Sequence, residues 1–268
     1  MNKLITRIIS GVIGVFSLWV VMFMGFINGP GIDYGAVLIG ALFLAVSLVL
    51  FFDFGSINKR SLVILGLVVL SFGVGVYFYP QLPEEVASHW NAQGQVDDYM
   101  GRFWGAFLMP IVSLVIYLMF LLIPKIDPMK ENIKKFRKYF DGFILAIILF
   151  LFYIYSLTIF WNLGYRFNFS KYMIPAFAIL MYCAGVLISK AEKNWFIGIK
   201  TPWTLSNDKV WNKTHKLGGK LFKISAVIIL FGLIFPVYGF YIGIGAVVFS
   251  SLFLVLYSYL EFKKIGDK

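Results

Sequence analysis

The sequence predicts an all-α protein that crosses a membrane about eight times, and three observations carry this prediction. The chain is 60% hydrophobic and 14% charged, whereas soluble domains carry about 25% charged residues. Eight windows approach or exceed the roughly 20 apolar residues that an α-helix needs to span a bilayer. Lys and Arg are concentrated in alternate loops between these windows.

Taken in chain order, the windows define the expected helices and their connections. In the first window, the apolar run after Lys3 and Arg7 exceeds the length of a signal-peptide core and lacks a cleavage site after it, which favours a retained signal anchor. Only Gly239 separates the last two windows, so they form either a tight helical hairpin or one long broken element. The windows are Leu4–Ile27, Tyr34–Phe52, Leu62–Tyr79, Phe103–Ile123, Gly142–Leu163, Tyr172–Ser189, Leu221–Tyr238 and Phe240–Leu260.

The cations predict the orientation of the spans. With the N-terminus in the cytoplasm, 21 of the 24 Lys and Arg residues lie on the cytoplasmic side, which is the positive-inside pattern. We therefore expect a multi-pass protein of the cytoplasmic membrane with both termini in the cytoplasm. Three parts follow: an accessory hairpin in residues 1–60, a helix pair in 61–123 bearing an acidic outer loop at 80–102, and a four-helix region in 124–268 with a cytoplasmic segment at 190–223.

Several classes of protein are disfavoured by what the sequence lacks. Once their ends are trimmed to exclude Arg7 and Lys223, the windows contain no Asp, Glu, Lys, Arg or His, although ion-coupled transporters generally place such ionisable groups in their spans. The two histidines, His89 and His215, fall on opposite predicted sides, so a metal or proton relay shared by them is not expected. Cys183 is the single cysteine and lies in the sixth window. No nucleotide-binding or hydrolase motif is present, and we expect neither cofactor nor metal.

The outer loop, residues 80–102, is the first candidate site. It carries four acids, Glu84, Glu85, Asp97 and Asp98, against the single cation Arg102. Turn-forming residues around Gly94 predict a short hairpin that brings His89 and Trp90 near Asp97. The alternative is a rigid cap with Trp90 and Tyr99 in the interfacial aromatic belt. The candidate ligand-binding residues are His89, Trp90, Asn91, Gly94 and Asp97.

The inner segment, residues 190–223, is richer in chemistry. Ser206 is the expected N-cap of a helix, and Asp208 complements the dipole of its first turn. Lysines then recur at helical spacing on one face, while Trp211, His215 and Gly218 share the other. This pattern predicts an amphipathic helix that lies in the cytoplasmic interface and leads into the seventh span. The lysines on that face are Lys209, Lys213, Lys216, Lys220 and Lys223.

The face opposite the lysines and the loop before it supply the candidate contacts with a partner or with lipid. Gly218 and Gly219 either bend the helix or allow close helix approach. The alternative is a plain interfacial helix whose lysines only mark topology. The candidate residues are Asn194, Gly198, Lys200, Thr201, Pro202, Trp203, Trp211, His215, Gly218 and Gly219.

Two motifs resemble a known family. NWFIGIKTPWTLSNDKVWNKTHKLGGKLF resembles the signature of the SdpI family of bacterial membrane proteins, and HWNAQGQVDDY resembles the loop of an uncharacterised domain that accompanies it. The resemblance covers roughly Leu62 to Leu260. Lys200 and Lys216 depart from the pattern, which more often has arginine, and lysine lacks the bidentate contacts of arginine.

The resemblance implies immunity to a secreted peptide toxin of the sporulation-delaying type, with no enzymatic activity. It also implies a receptor role in which the toxin-engaged protein holds a small transcriptional repressor at the membrane, without direct contact to nucleic acid. Two other classes stay open: a transporter or lipid- and solute-handling protein, and a structural membrane subunit.

Overall fold

The computed structural model describes residues 59–234 and 236–266. The first two predicted spans, of which the first is the expected signal anchor, lie outside the described residues, as do the last two residues of the chain. Seven α-helices and one two-stranded hairpin occur in the described part. They are α1 (Lys59–Phe78), β1 (Glu85–Trp90), β2 (Val96–Gly101), α2 (Arg102–Ile126), α3 (Lys130–Asn162), α4 (Phe169–Lys190), α5 (Pro202–Ser206), α6 (Asp208–Leu230) and α7 (Pro236–Gly266).

Five helices in the described part are long and apolar enough to cross a membrane. The spans match the third, fourth, fifth, sixth and eighth predicted windows. Because the described part contains little sheet besides these helices, the prediction of an all-α, multi-pass membrane protein is confirmed. The count of eight spans and the cytoplasmic termini stay predictions. The five spans are Ser61–Gln81, Arg102–Ile126, Lys130–Asn162, Phe169–Lys190 and Tyr241–Ile265.

The described residues form two compact units, and the first comprises 59–88, 99–122 and 155–165. Its helices approach closely at Gly75, where an added Cβ would lie 2.8 Å from the carbonyl oxygen of Ala106 and 2.9 Å from the hydroxyl of Tyr155. That hydroxyl donates a hydrogen bond to the same carbonyl at 2.7 Å. Tyr117 likewise donates to the carbonyl of Ser61 at 3.1 Å. Buried tyrosines therefore join the helices through backbone carbonyls.

The start of β1 is held by the end of α3 within this first unit. The Asn162 side chain accepts from the backbone N–H of Ala87 at 2.8 Å and donates to its carbonyl at 3.1 Å. One amide side chain thus satisfies both backbone groups of a strand residue, as a neighbouring strand would. Val86, next to it, is fully buried and fills the space beside Gly105.

The second unit comprises 89–98, 123–154 and the chain from 166 onward, and α6 and α7 form an antiparallel hairpin within it. Ser225 contacts Ser250 at 3.1 Å, while Lys213, earlier in α6, pairs with Glu261, later in α7. α6 ends at the 3₁₀ turn Phe231–Leu233, and α7 begins at Pro236. The expected boundary at Gly239 is therefore wrong, because Gly239 lies inside α7.

The inner amphipathic helix and the seventh window are parts of one element. α6 runs as a single helix from Asp208 to Leu230 and packs along α4 and α7. It is not a separate helix lying in the interface, because its buried face continues through Gly218, Gly219 and Ala226. Close packing rather than bending therefore explains the paired glycines.

Candidate functional site

The signature segment, residues 191–219, begins with a loop folded around Asn194. This side chain is fully buried. Its oxygen accepts from the backbone N–H groups of Phe196 and Ile197 at 2.9 and 2.6 Å. Its nitrogen donates to the carbonyls of Glu192 and Ile197 at 2.8 Å each. Asn194 thus satisfies the backbone of the turn from within, a positioning role that an apolar residue cannot fill.

Two residues that the sequence analysis did not select attach this loop to the corner between α2 and α3. Asp127, which is buried, accepts from the backbone N–H of Trp195 at 3.0 Å and from that of Met129 at 2.6 Å. Asn132 donates to the carbonyl of Lys193 at 2.8 Å. The Asp127–Pro128 pair signals the start of a helix, but no local pattern reveals a partner 68 residues away.

His215 lies inside this segment and both of its ring nitrogens bind the backbone. Nε2 accepts from the N–H of Ile199 at 3.0 Å, and Nδ1 lies 2.8 Å from the carbonyl of Trp211. Because an N–H points at Nε2, the proton of the neutral ring sits on Nδ1 and is donated to that carbonyl. Burial lowers the pKa of His215 to about 4, which keeps the ring neutral near pH 7.

Trp211 and Gly198 complete the surroundings of His215. The indole stacks on the imidazole with ring centroids 3.8 Å apart, and its N–H donates to the carbonyl of Ala191 at 2.8 Å. Gly198 has φ +123°, and a Cβ there would collide with Nε2 of His215. Only glycine combines this backbone conformation with so close an approach.

The short helix α5 closes the loop. Thr201 and Thr204 form a reciprocal capping box, and Pro202 occupies the first turn, where its missing N–H is harmless. The Thr201 hydroxyl also lies 3.0 Å from that of Ser258 in α7. The expected N-cap at Ser206 is wrong, since Ser206 ends α5 and Asn207 caps α6 by accepting from the N–H groups of Lys209 and Val210.

The paired glycines set the distance between α4 and α6. A Cβ at Gly219 would collide with Ser189, and one at Gly185 would lie 2.9 Å from the Gly219 carbonyl oxygen. At Gly218 the added atom would be 2.5 Å from the side chain of Ile199. Small residues thus let the helix backbones touch and the loop fold over them.

Other residues of the segment are exposed, in contrast to the buried Asn194, Trp211 and His215, which we call the buried frame. Trp195, Phe196 and Lys200 are exposed, and Lys200 donates to the carbonyl of Trp195 at 3.2 Å. Pro202 is exposed as well, and the half-buried Trp203 lies against Tyr259 with ring centroids 5.1 Å apart. Of the candidate inner residues, Lys200, Pro202 and Trp203 therefore have side-chain surface that a partner could contact.

A polar cavity of about 300 Å³ opens beside the segment. Lys193 and Asp208 form an ion pair at its edge. The lining combines residues from the start of α3, the loop and the start of α6: Met129, Asn132, Lys135, Glu192, Lys193, Asp208, Trp211 and Asn212.

The outer loop forms the predicted hairpin. The Nδ1 atom of His89 in β1 and a carboxylate oxygen of Asp97 in β2 lie 2.5 Å apart, and both side chains are exposed. Asn91 shapes the turn by accepting from the N–H groups of Gln93 and Gln95 at 3.0 Å each. Gly94 adopts φ +78°, as expected from its position in the turn.

The tip of the hairpin rests on the first turn of α4. Trp90 stacks on Phe169 with ring centroids 3.9 Å apart. Ser170 donates to the carbonyl of Asn91 at 3.0 Å, and Asn168 donates to that of Gln93 at 3.2 Å. The structure thus brings the five outer candidate residues together, with Trp90, Asn91 and Gly94 forming the support and His89 and Asp97 forming the open surface.

The two candidate regions lie at opposite ends of α4. The hairpin contacts the beginning of this helix, and the signature segment starts where it ends at Lys190. A helix of 22 residues rises about 33 Å, so His89 and His215 do not meet. Among the described residues, no group of three or more His, Cys, Asp or Glu side chains is arranged to hold a metal.

Comparison with known proteins agrees with both motifs. A domain of unknown function, DUF1648, matches residues 66–114, and the SdpI/YfhL protein family matches residues 190–259. The immunity protein SdpI of Bacillus subtilis (strain 168) is 30% identical over 215 residues, which covers 78% of this chain and 98% of the relative. No solved structure matches. The chain therefore belongs to the SdpI/YfhL family and is a multi-pass protein of the cell membrane.

Proposed function

We propose that this protein is a membrane immunity protein that protects its own cell against a secreted peptide toxin. The observation that carries the proposal is the 30% identity to an immunity protein over 98% of that protein's length. The matches to DUF1648 and to the SdpI/YfhL family cover the hairpin and the signature segment respectively, so the similarity extends beyond one shared motif. Immunity in this proposal rests on binding and requires no catalytic step.

The hairpin is the proposed contact for the toxin, on the side predicted to be extracytoplasmic. His89 and Asp97 present an imidazole and a carboxylate side by side, and the neighbouring Asp98 is also exposed. This concentration of acids suits a peptide with cationic or hydrogen-bond-donating groups. Trp90, Asn91 and Gly94 act by holding that surface against α4.

The signature segment is the proposed contact for a cytoplasmic partner, the small repressor of the family resemblance. The exposed Trp195, Lys200 and Pro202 and the cavity beside Lys193 supply the surface. Asn194, Thr201, Trp211 and His215 are buried and act as its frame. A relay from hairpin to segment would run along α4, which both regions contact.

The test is survival of a toxin-sensitive bacterial strain that expresses the full-length protein and is exposed to the sporulation-delaying peptide toxin. Wild type should protect. Asp97→Asn removes one exposed negative charge from the hairpin surface and should reduce protection by about tenfold in the tolerated toxin concentration, the scale of one lost charged hydrogen bond. The matched control is Glu84→Gln, which removes an exposed charge next to the hairpin and should leave protection unchanged.

Membrane abundance and melting of each variant in detergent must equal those of wild type for the comparison to count. No protection by a well-expressed wild-type protein would reject immunity against this toxin. Protection by wild type with equal loss in Asp97→Asn and Glu84→Gln would keep immunity but reject the specific hairpin contact in favour of overall surface charge.

A further inference from the structure

The exposed face of α6 changes character part of the way along the helix. Its first half exposes Lys209, Lys213, Lys216 and Lys220. Its second half exposes large apolar side chains on the same face, and these lead into the turn before α7: Ile224, Val227, Leu230 and Phe231. Residues at 3- and 4-residue spacing share a helix face. The exposed side chains on this face therefore change from lysines to apolar residues within about one turn after Lys220.

This change occurs beside a membrane-spanning helix. Gly219 lies against Ser189, and the side chain and backbone of Lys223 lie near Gly185, both in α4. The ammonium of Lys223 also lies 5.7 Å from the ring centre of Tyr182. α4 is one of the candidate spans and ends at Lys190, so Lys220 and Lys223 sit alongside its last two turns rather than beyond its end.

The lysines of the stripe are not equivalent. Lys213 pairs with the carboxylate of Glu261 at 2.6 Å, and Lys264 binds the same carboxylate at 2.8 Å. This hydrogen bond raises the pKa of Lys213. Lys216 and Lys220 are exposed and have no ion pair or hydrogen bond with any described residue. Their charges therefore remain available to a ligand outside this part of the chain.

We propose that Lys216 and Lys220, supported by Lys223, bind the phosphate of an anionic phospholipid at the predicted cytoplasmic surface. Lysine side chains beside the end of a membrane-spanning helix extend their ammonium groups to the headgroup layer, while their methylene chains stay in apolar surroundings. The exposed Ile224 and Val227 directly below lie where acyl chains would contact them. A soluble acidic protein would leave that apolar surface in water, so the lipid is the better match.

The experiment is native mass spectrometry of the purified full-length protein with equimolar phosphatidylglycerol and phosphatidylcholine. Wild type should retain phosphatidylglycerol preferentially. Lys216→Gln with Lys220→Gln should reduce this preference by about 30-fold, the scale expected for two lysines near an anionic surface. The matched control, Lys209→Gln with Lys263→Gln, removes two exposed charges farther from the apolar change and should keep the wild-type preference.

A second variant guards against misfolding. Lys216→Arg with Lys220→Arg keeps both charges and should retain phosphatidylglycerol, while all variants should melt as wild type does in phosphatidylcholine alone. Absence of a wild-type preference, or equal loss in the two glutamine pairs, would overturn the proposal. Binding of an acidic peptide but not of phosphatidylglycerol to the lysine pair would also overturn it and assign the surface to a protein. None of these readouts depends on toxin immunity.

Discussion

The two histidines of this chain occupy opposite kinds of surroundings. The side chain of His89 is 67% exposed and its partner Asp97 is 42% exposed, whereas His215 is only 2% exposed and binds the backbone through both nitrogens. One imidazole can meet a ligand, and the other holds a loop in place. Residue type alone therefore does not identify a binding residue, because the same ring serves recognition at a surface and positioning in an interior.

The difference extends to the surroundings of each histidine. In the hairpin, the supporting residues lie beneath the exposed side chains of His89 and Asp97. Substitution of this exposed pair should therefore leave the supporting contacts intact. In the signature segment, the ring of His215, the indole of Trp211 and the backbone at Gly198 contact one another directly. Substitutions in the two regions should consequently separate function from stability.

The largest expected effect is that of Gly198→Ala. The new Cβ would demand an unfavourable backbone conformation and collide with His215, so the variant should lose about 3 kcal/mol or more of stability. Melting in detergent measures this loss. Gly66→Ala is the matched control, because Gly66 is helical and nothing lies within 4 Å of an added Cβ there. Equal melting of the two variants would show that the signature loop can accommodate a side chain at Gly198.

A smaller effect is expected for His215→Gln, which loses the stacking on Trp211 and one of two backbone hydrogen bonds. We expect about 1–3 kcal/mol lower stability, again measured by melting. The pKa of the folded ring, about 4, lies below its ordinary value of 6.5, so between these values the unfolded chain binds a proton that the folded protein does not. Stability contributed by the neutral ring is therefore present above pH 6.5 and is lost as the pH falls toward 4.

The pH profile provides the control for that variant. His215→Gln should show a flatter loss of stability between pH 7 and pH 4 than wild type does, because glutamine does not titrate. Identical slopes would mean that His215 is accessible to protons in the folded state. Such a result would return this residue to the set of candidate partner contacts.

The smallest expected effect on stability is that of His89→Gln. Substitutions of exposed residues usually change stability by no more than about 0.5 kcal/mol, and this side chain is exposed with a single exposed partner. Melting should stay at the wild-type temperature while toxin tolerance falls. A drop in melting temperature comparable to that of His215→Gln would contradict the division between an open hairpin surface and a buried frame.

Local signals in the sequence predicted much of the fold. Apolar windows of sufficient length placed the five described spans, because the bilayer requires long apolar helices whatever their partners. Turn residues around Gly94 placed the hairpin, and the 4-and-3 spacing of Trp211, His215 and Gly218 placed the buried face of α6. In each case the residues that decide the structure are neighbours in the chain.

Where local signals competed, the sequence was less decisive. Ser206 and Asn207 are both good N-caps, and the structure uses Asn207 because Ser206 completes the last turn of α5. Gly239 is the obvious break between two apolar windows, yet the chain turns earlier, at Phe231–Leu233. Packing of α7 against α6 overrides the local preference of one glycine.

The sequence by itself determined that this is a helical membrane protein with an acidic hairpin and a Trp- and Lys-rich segment as its two distinctive regions, since composition and periodicity are properties of neighbouring residues. Only the tertiary structure decided that Asp127 holds the backbone of Trp195, that Asn168 and Phe169 support the hairpin, and that Glu261 engages Lys213 but not Lys216. These contacts join residues far apart in the chain, and their formation depends on how whole helices pack, which no local pattern encodes.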